Sequence, residues 1–163
     1  MNFSDAWYVG RLVAAASLTS LVAGICADAR AGLGDSVAAI EVDQARLKGD
    51  RKQAMALRAK VQAHEIVMPD GSRITEFADS SGKVFAVSWS TRFKPNLDLL
   101  LGRHAATFAA AASEAMRAPG VKRFVVLRRD DLVVHATSHL NSFVGRAYLR
   151  SLIPAGFNVD ELR

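Results

Sequence analysis

The stretch that most constrains the fold is HEIVMPDGSRITEFADSSGKVFAVSW, residues 64–89. Three short β-rich runs are separated in it by two turn signals. After His64–Met68 comes Pro69-Asp70-Gly71, where proline presets a negative φ and glycine accepts the positive φ of a tight reversal. After Arg73–Ala78 comes Asp79-Ser80-Ser81-Gly82, whose short polar side chains bond to the local backbone while Gly82 permits the left-handed position. The third run, from Val84 to Ser90, alternates and so places Phe85, Val87 and Trp89 on one face. In the second run Ile74 and Phe77 fall on opposite faces, with Glu76 on the face of Ile74. A bulge, or a sheet covered on both faces, would reconcile this.

Arg92-Phe93-Lys94-Pro95 then interrupts the pattern, and Asn96 is a good helix N-cap. From there Leu97, Leu100, Leu101, His104, Ala105, Phe108, Ala112, Ala115 and Met116 recur at helical spacing as far as Arg117, and Pro119-Gly120 closes the helix. Two further β-rich runs, Arg123–Arg128 and Leu132–Thr137, are joined by Arg129-Asp130-Asp131 as a second hairpin. A last run, Phe143–Leu149, contains Gly145, which marks a bulge or close packing. Asn158 can cap a final helical turn through Val159 and Leu162. Ahead of the meander, Gly32-Leu33-Gly34 reads as flexible. Asp35 or Ser36 can cap a helix to about Lys48, with Gly49 as its stop, and Arg51–Val61 reads as a second helix or an irregular lead into the first strand. The expected fold is α+β: an antiparallel β-meander and hairpin packed against one long α-helix.

The first residues read differently. Leu12 to Ala27 is apolar, preceded by Arg11 and followed by the small-residue pattern Ala27-Asp28-Ala29-Arg30-Ala31, as in a secretory signal peptide with cleavage after Ala31. Sixteen helical residues span about 24 Å at the α-helical rise, short of the ~30 Å of a bilayer core, which disfavours a retained anchor. The expected organisation is a signal peptide over 1–31 and a single domain over 32–163. Cys26 is the one cysteine, and it lies in the segment expected to be removed. The mature domain then has no disulfide, thiol nucleophile or thiolate zinc site. Its formal charge stays at +5, because Arg11 and Arg30 leave together with Asp5 and Asp28. Such a charge favours anionic surfaces without naming a ligand.

The segments VDQARLKG, HEIVMPDGSRITEFADSSGKVFAVSW, NLDLLLG and SFVGRAYLRSLIPAGFNVDELR resemble the bacterial family called domain of unknown function 2844. Gly82-Lys83-Val84-Phe85 and Phe143-Val144-Gly145-Arg146-Ala147-Tyr148 are the most specific pieces. The resemblance covers most of the chain from Gly32 to Arg163. It implies export, in proteobacteria, and one compact domain; it implies no activity, ligand or cofactor.

Few residues could carry chemistry. His104 lies on the apolar stripe of the long helix, where a histidine is usually a core residue bonded to a strand carbonyl; the alternative is a general base oriented by Glu65 or Glu76. Those two acids fall on adjacent strands around the first hairpin and, if they shared a face, could form a catalytic carboxylate pair. Two acids on a solvated strand face are the commoner arrangement. Ser88 and Ser90 lack the glycine-framed elbow of a serine hydrolase. His135 and His139 are four apart, but on a strand this spacing separates their Cα atoms by about 13 Å, too far for easy ligation of one metal ion. Lys122, Arg123, Arg128 and Arg129 form the densest basic cluster, with Arg146 and Arg150 as neighbours. It is either an anion-binding surface or a charged edge that discourages strand pairing. No phosphate loop, zinc-finger spacing or RNA-binding motif is present.

The sequence thus leads to an exported, periplasmic or secreted protein working as a non-enzymatic binding or structural module of the cell envelope. Its expected partners are an anionic envelope polymer or an envelope protein, with no nucleic acid, metal or cofactor. The rival is a small hydrolase of envelope polymers using His104 with Glu65 or Glu76.

Overall fold

The computed structural model describes residues 32–39, 44–45, 47–58, 60–117 and 124–162. The expected signal peptide, Pro119-Gly120, Lys122 and Arg123 lie outside the described residues. Among the described residues, seven strands form one sheet in which every pairing is antiparallel. In chain order they are β1 (Asp50–Arg58), β2 (Val61–Val67), β3 (Arg73–Asp79), β4 (Val84–Thr91), β5 (Phe124–Arg129), β6 (Leu132–His139) and β7 (Ser142–Leu149). Their spatial order is β1-β2-β3-β4-β7-β6-β5. Two meanders therefore meet along β4 and β7, and the helical segment links them.

Local chemistry explains the turns. Gly71 has φ +81° and Gly82 φ +78°, the conformation that glycine adopts without a Cβ clash. The Asp70 carboxylate accepts the Ser72 amide and hydroxyl, both at 2.9 Å. The Asp79 carboxylate accepts the Ser81 amide at 2.8 Å, the Ser81 hydroxyl at 2.6 Å and the Lys83 amide at 3.0 Å. These bonds hold both aspartates below the usual carboxylate range; burial opposes the shift at each. Between β5 and β6, Asp130 takes φ +51°.

The helical segment starts as its sequence implies, with the Asn96 side chain accepting the Leu99 amide at 3.2 Å. It is interrupted, however. α1 (Leu97–Leu101) gives way to a 3₁₀ turn at Gly102–His104, and α2 runs from Ala105 to Arg117. The break lies at Gly102, φ +52°, where Gly32 crosses so closely that a Cβ on Gly32 would lie 2.5 Å from the Gly102 Cα. Gly32-Leu33-Gly34 is accordingly a packed element rather than a flexible one. Leu33 is fully buried, its amide donates to the Leu100 carbonyl at 3.2 Å, and the Gly34 amide donates to the Val84 carbonyl at 2.8 Å.

Of the helix expected from Asp35 or Ser36 to Lys48, the described residues show a 3₁₀ turn at Val37–Ala39 and helical backbone at residues 44, 45 and 47, with Lys48 at φ +51°; residues 40–43 and 46 lie outside the described residues. Ser36 caps the 3₁₀ turn, its hydroxyl accepting the Ala38 amide at 3.3 Å, and its backbone bridges to Lys83 just ahead of β4. Arg51–Val61 is not a helix: residues 50–58 are β1, paired to β2 with two irregularities. Pairing with a formed neighbour outweighs the weak local helix preference of alanine and basic residues.

The two sheet faces are covered by different elements. On the inner face α1, α2 and Leu33 pack on Ile74, Val87, Trp89, Leu127, Leu132, Val134, Ala147 and Leu149. Val37 and Leu47 cover Ile66 and Val84. On the outer face the tail after β7 lays Leu152, Ile153, Phe157, Val159 and Leu162 over Val61, Ala63, Phe77, Phe85 and Ala86. β4 carries a bulge, since Phe77 pairs with Ala86 but Ala78 with Val84. The extra residue reverses the alternation, so Phe85 does not share a face with Val87 and Trp89 as expected. It joins Phe77 and Phe157 in an aromatic cluster, with Phe85 and Phe157 edge to face at 5.2 Å. Met116, assigned to the apolar stripe, is exposed beyond the end of that core.

Candidate functional site: the open half of the outer face

The tail covers only part of the outer face. Pairing partners in an antiparallel sheet project to the same side, so the register can be followed from strand to strand. Ala63, Phe77, Ala86, Tyr148 and Val133 make one transverse row, next to the tail. The next row is polar: Glu65 pairs with Thr75, Thr75 with Ser88, Ser88 with Arg146, and Arg146 with His135. At 4.7–4.9 Å between strands it spans roughly 19 Å. Val67, Arg73, Ser90, Val144 and Thr137 form the row beyond. These rows floor two adjoining clefts, one of about 440 Å³ between Ser88, His135, Arg146 and Leu162, the other of about 330 Å³ between Glu65, Arg73, Thr75 and Ser90.

Arg146 is the centre of the row. Its Nη1 donates to the Val159 carbonyl at 2.9 Å and its Nη2 to the Asp160 carboxylate at 3.3 Å, which pins the tail along the border of the cleft. The remaining charge of the guanidinium faces His135. Burial first, then Arg146 and Arg128, push the His135 imidazole below its ordinary value. Its Nε2 is shielded from solvent and has no hydrogen-bond partner among the described residues. At the other end Glu65 and Arg73 form an exposed pair at 3.8 Å, worth well under 1 kcal/mol in water. The surface thus has a cationic end at Arg146, beside an imidazole held toward its neutral form, and a mixed, solvated end at Glu65 and Arg73.

The other expected site residues are dispersed. Glu65 and Glu76 do not share a face. Glu65 pairs with Thr75 on the outer face, whereas Glu76 pairs with His64 on the inner face, where both are buried. The residue numbers of each β2–β3 pair sum to an even value, and Glu65 with Glu76 gives an odd one, so the hairpin register itself separates them. His104 lies on the inner side in the 3₁₀ turn, with Asp131 and Asp35 as the acids whose charges act on it; burial and Arg103 hold its pKa low. It is not brought to Glu65. The expected bond from His104 to a strand carbonyl is not made by Nε2, which is buried without a partner among the described residues.

Arg128 and Arg129 are consecutive on β5 and project to opposite faces, Arg128 to the side of Arg146. Arg150 donates to the Asp130 carbonyl. Asp131 accepts the Ser151 amide at 2.7 Å and hydroxyl at 2.6 Å, bonds that hold its carboxyl below the usual range and fix the start of the tail. His135 and His139 sit four apart on β6, as the strand reading requires. Among the described residues no group of three or more metal-ligating side chains comes together, and no helix is long and apolar enough to cross a membrane.

The polar row itself escaped the sequence reading. Its β6–β7 half was accessible, because a turn at Leu140-Asn141 sets His135 opposite Arg146. The pairing of Ser88 with Arg146 joins segments 58 residues apart, and no local signal announces it. In comparison with known proteins, the sequence matches the family described as "Protein of unknown function (DUF2844)" over residues 29–162. The chain belongs to that family. No curated protein and no solved structure matches it.

Proposed function

We propose that this member of the DUF2844 family is an exported binding module of the cell envelope, and that the open half of its outer sheet face receives an anionic envelope polymer. One observation carries the reading. The same three strands, β3, β4 and β7, are sealed by the tail over their apolar row and left open over the polar row that includes Arg146, with His135 of β6 beside it. A sheet face floored by small hydroxyls and a cationic end suits reversible contact with a chain of acidic groups, since electrostatic attraction acts over a Debye length and needs no shaped pocket. The net charge of +5 has the same sign. Export is supported by the apolar run Leu12 to Ala27, and by a family match that begins at residue 29, within the small-residue run expected at the cleavage site.

The test is expression with the native N-terminus in a Gram-negative host, followed by fractionation, intact mass and co-sedimentation of the purified product with peptidoglycan sacculi. The expected product is periplasmic, begins near Gly32 and is retained by sacculi in a salt-sensitive manner. Retention should fall several-fold in Arg146→Gln with the fold intact by circular dichroism. A cytosolic product of full mass would overturn export, and salt-insensitive or absent retention would overturn the polymer reading.

A further inference from the structure

Arg146 already holds a carboxylate. Its side chain is 25% exposed, and the bond from Nη1 to the Val159 carbonyl at 2.9 Å fixes the guanidinium against the tail. The second contact is of another kind. Asp160 meets Nη2 through one oxygen at 3.3 Å, and its side chain is 75% exposed. An ion pair this solvated contributes little and exchanges readily with other anions. The two contacts use two of the five N–H donors of a guanidinium, and among the described residues no further hydrogen bond is made to it.

The backbone around Asp160 is held independently of this pair. The Asp160 amide donates to the Asn158 side chain at 3.0 Å and the Leu162 amide to the Val159 carbonyl at 3.3 Å, while Phe157, Val159 and Leu162 pack on the apolar row. The Asp160 carboxylate can therefore turn into water while the tail stays in place. It would leave a positioned guanidinium at the wall of the cleft of about 440 Å³, with Ser88, Ser90 and Thr137 as hydroxyls along the floor. Arg128 adds positive charge on the same side, and Glu161 makes the turn of Asp160 doubly acidic. Glu65, the acid at the far end of the row, is three strands away, roughly 14 Å, and is paired with Arg73.

We propose that Asp160 is an internal stand-in for the ligand: a carboxylate of the bound polymer takes its place at Arg146, and the acidic turn of the tail lowers the affinity of the cleft by competing for the same guanidinium. This rests on the reading of the open half as the polymer's site, and it names the acidic group that the site takes. A planar, singly charged carboxylate replaces like with like, and Arg146 needs no movement to receive it, because Val159 keeps it in position. The hydroxyls of Ser88, Ser90 and Thr137 then bond to the chain that carries the carboxylate. Two envelope sources present such groups on an extended chain, the peptide stems of peptidoglycan and polysaccharides of uronic acids.

The probes are soluble fragments released from peptidoglycan by a muramidase and oligogalacturonate, each with its carboxyls free or amidated, and polyphosphate as an anion without carboxylate. Binding to the purified chain is read by calorimetry. The free acid of one source should bind, its amidated form should not, and polyphosphate should bind more weakly; the source that binds assigns the carboxylate to peptide or to sugar. Asp160→Asn should tighten binding of the free acid roughly two- to fivefold. Asp98→Asn removes the same charge from the exposed start of α1 and should change binding less. In Arg146→Gln the gain from Asp160→Asn should vanish. Both aspartates are exposed, so the fold should persist. In the unmutated chain the carboxyl carbon resonance of Asp160 should move on binding toward that of a free aspartate. Unchanged or weaker binding in Asp160→Asn, a fixed Asp160 resonance, or equal binding of amidated fragments or polyphosphate overturns the exchange at Arg146. If sacculi still retain the chain through Arg146 in a salt-sensitive manner, the polymer reading survives that loss; if they do not, both fall.

Discussion

Two halves of one sheet face behave as different materials here. In the sealed half, Phe77 and Phe85 meet Phe157 from the tail, with ring centroids 6.4 Å and 5.2 Å apart, and Val61, Ala86 and Leu162 complete a dry layer. In the open half, the next rows of the same strands carry Thr75, Ser88, Ser90, Arg146 and Thr137. Burying a phenylalanine contributes about 1.5–3 kcal/mol. A buried serine contributes little, and loses if it lacks a partner. A tail of about a dozen residues can recover its ordering entropy only over the first kind of row. Where the apolar row ends, so does the cover, and a surface is left for something else.

The sharpest way to break this comparison is to truncate one side chain in each half. Phe77→Ala, at a site 2% exposed, should cost about 3–5 kcal/mol. Val144→Ser, on the open rows, should stay within about 0.5 kcal/mol. Urea unfolding of both variants reads the difference directly. Similar losses would mean that the tail does not distinguish the halves.

A smaller effect is expected at Gly145, where the open half depends on the inner face beneath it. A Cβ at this position would lie 2.3 Å and 2.5 Å from atoms of the Trp89 ring and 2.6 Å from the His135 carbonyl. Backbone and a packed indole cannot both give way, so Gly145→Ala should cost about 1–3 kcal/mol. The near-UV circular dichroism of Trp89 should change with it. An unchanged spectrum and unchanged stability would show that the close packing of β7 on Trp89 is not needed.

These positions also show what the sequence could reveal. Turn chemistry was legible: Pro69-Asp70-Gly71 and Asp79–Gly82 form the bonded reversals their side chains dictate. The hydrophobic period found the helical segment and its Asn96 cap. Gly145 was marked as a place of bulging or close packing, and packing on Trp89 is the answer. The bulge at Phe85 was not placed, because one inserted residue leaves the composition of β4 unchanged and only reverses its faces. β1 was left between a helix and an irregular lead into the first strand because its fate is decided by β2 and not by its own propensities. The candidate site fared worst. Its row is assembled by the β4–β7 pairing, a contact between the two meanders that no short-range pattern encodes.

The border between the halves is held by Arg146, and this contact should be weaker still. Asp160 is 75% exposed at its side chain, so its ion pair contributes no more than about 1 kcal/mol. Asp160→Asn is expected to lower global stability by roughly 0.5 kcal/mol. Arg146→Gln removes the Val159 bond too and should cost somewhat more, while amides from Phe157 to Leu162 exchange faster. A double-mutant cycle separates the ion pair from the carbonyl bond. If tail exchange is unaffected in both variants, the aromatic cluster alone holds the cover.

The smallest expected effect concerns two histidines, one on each side of the sheet. Burial is the leading cause that lowers the pKa of both His104 and His135 from 6.5. A histidine with a depressed folded value takes up its proton more readily in the unfolded chain, so stability is full above about pH 6.5 and declines as pH falls toward the folded values. His104→Gln and His135→Gln should each flatten part of that decline. The pair also separates the faces. His104 has Arg103, Asp131 and Asp35 around it, whereas His135 is flanked by Arg146 and Arg128 at the cleft. An anion bound there offsets the two guanidinium groups and so raises the pKa of His135. An imidazole titration followed by nuclear magnetic resonance, with and without a soluble polyanion, should show His135 moving up and His104 staying in place. Equal movement of both would assign the anion to the general positive charge of the chain, and the open half would lose its claim to be a site.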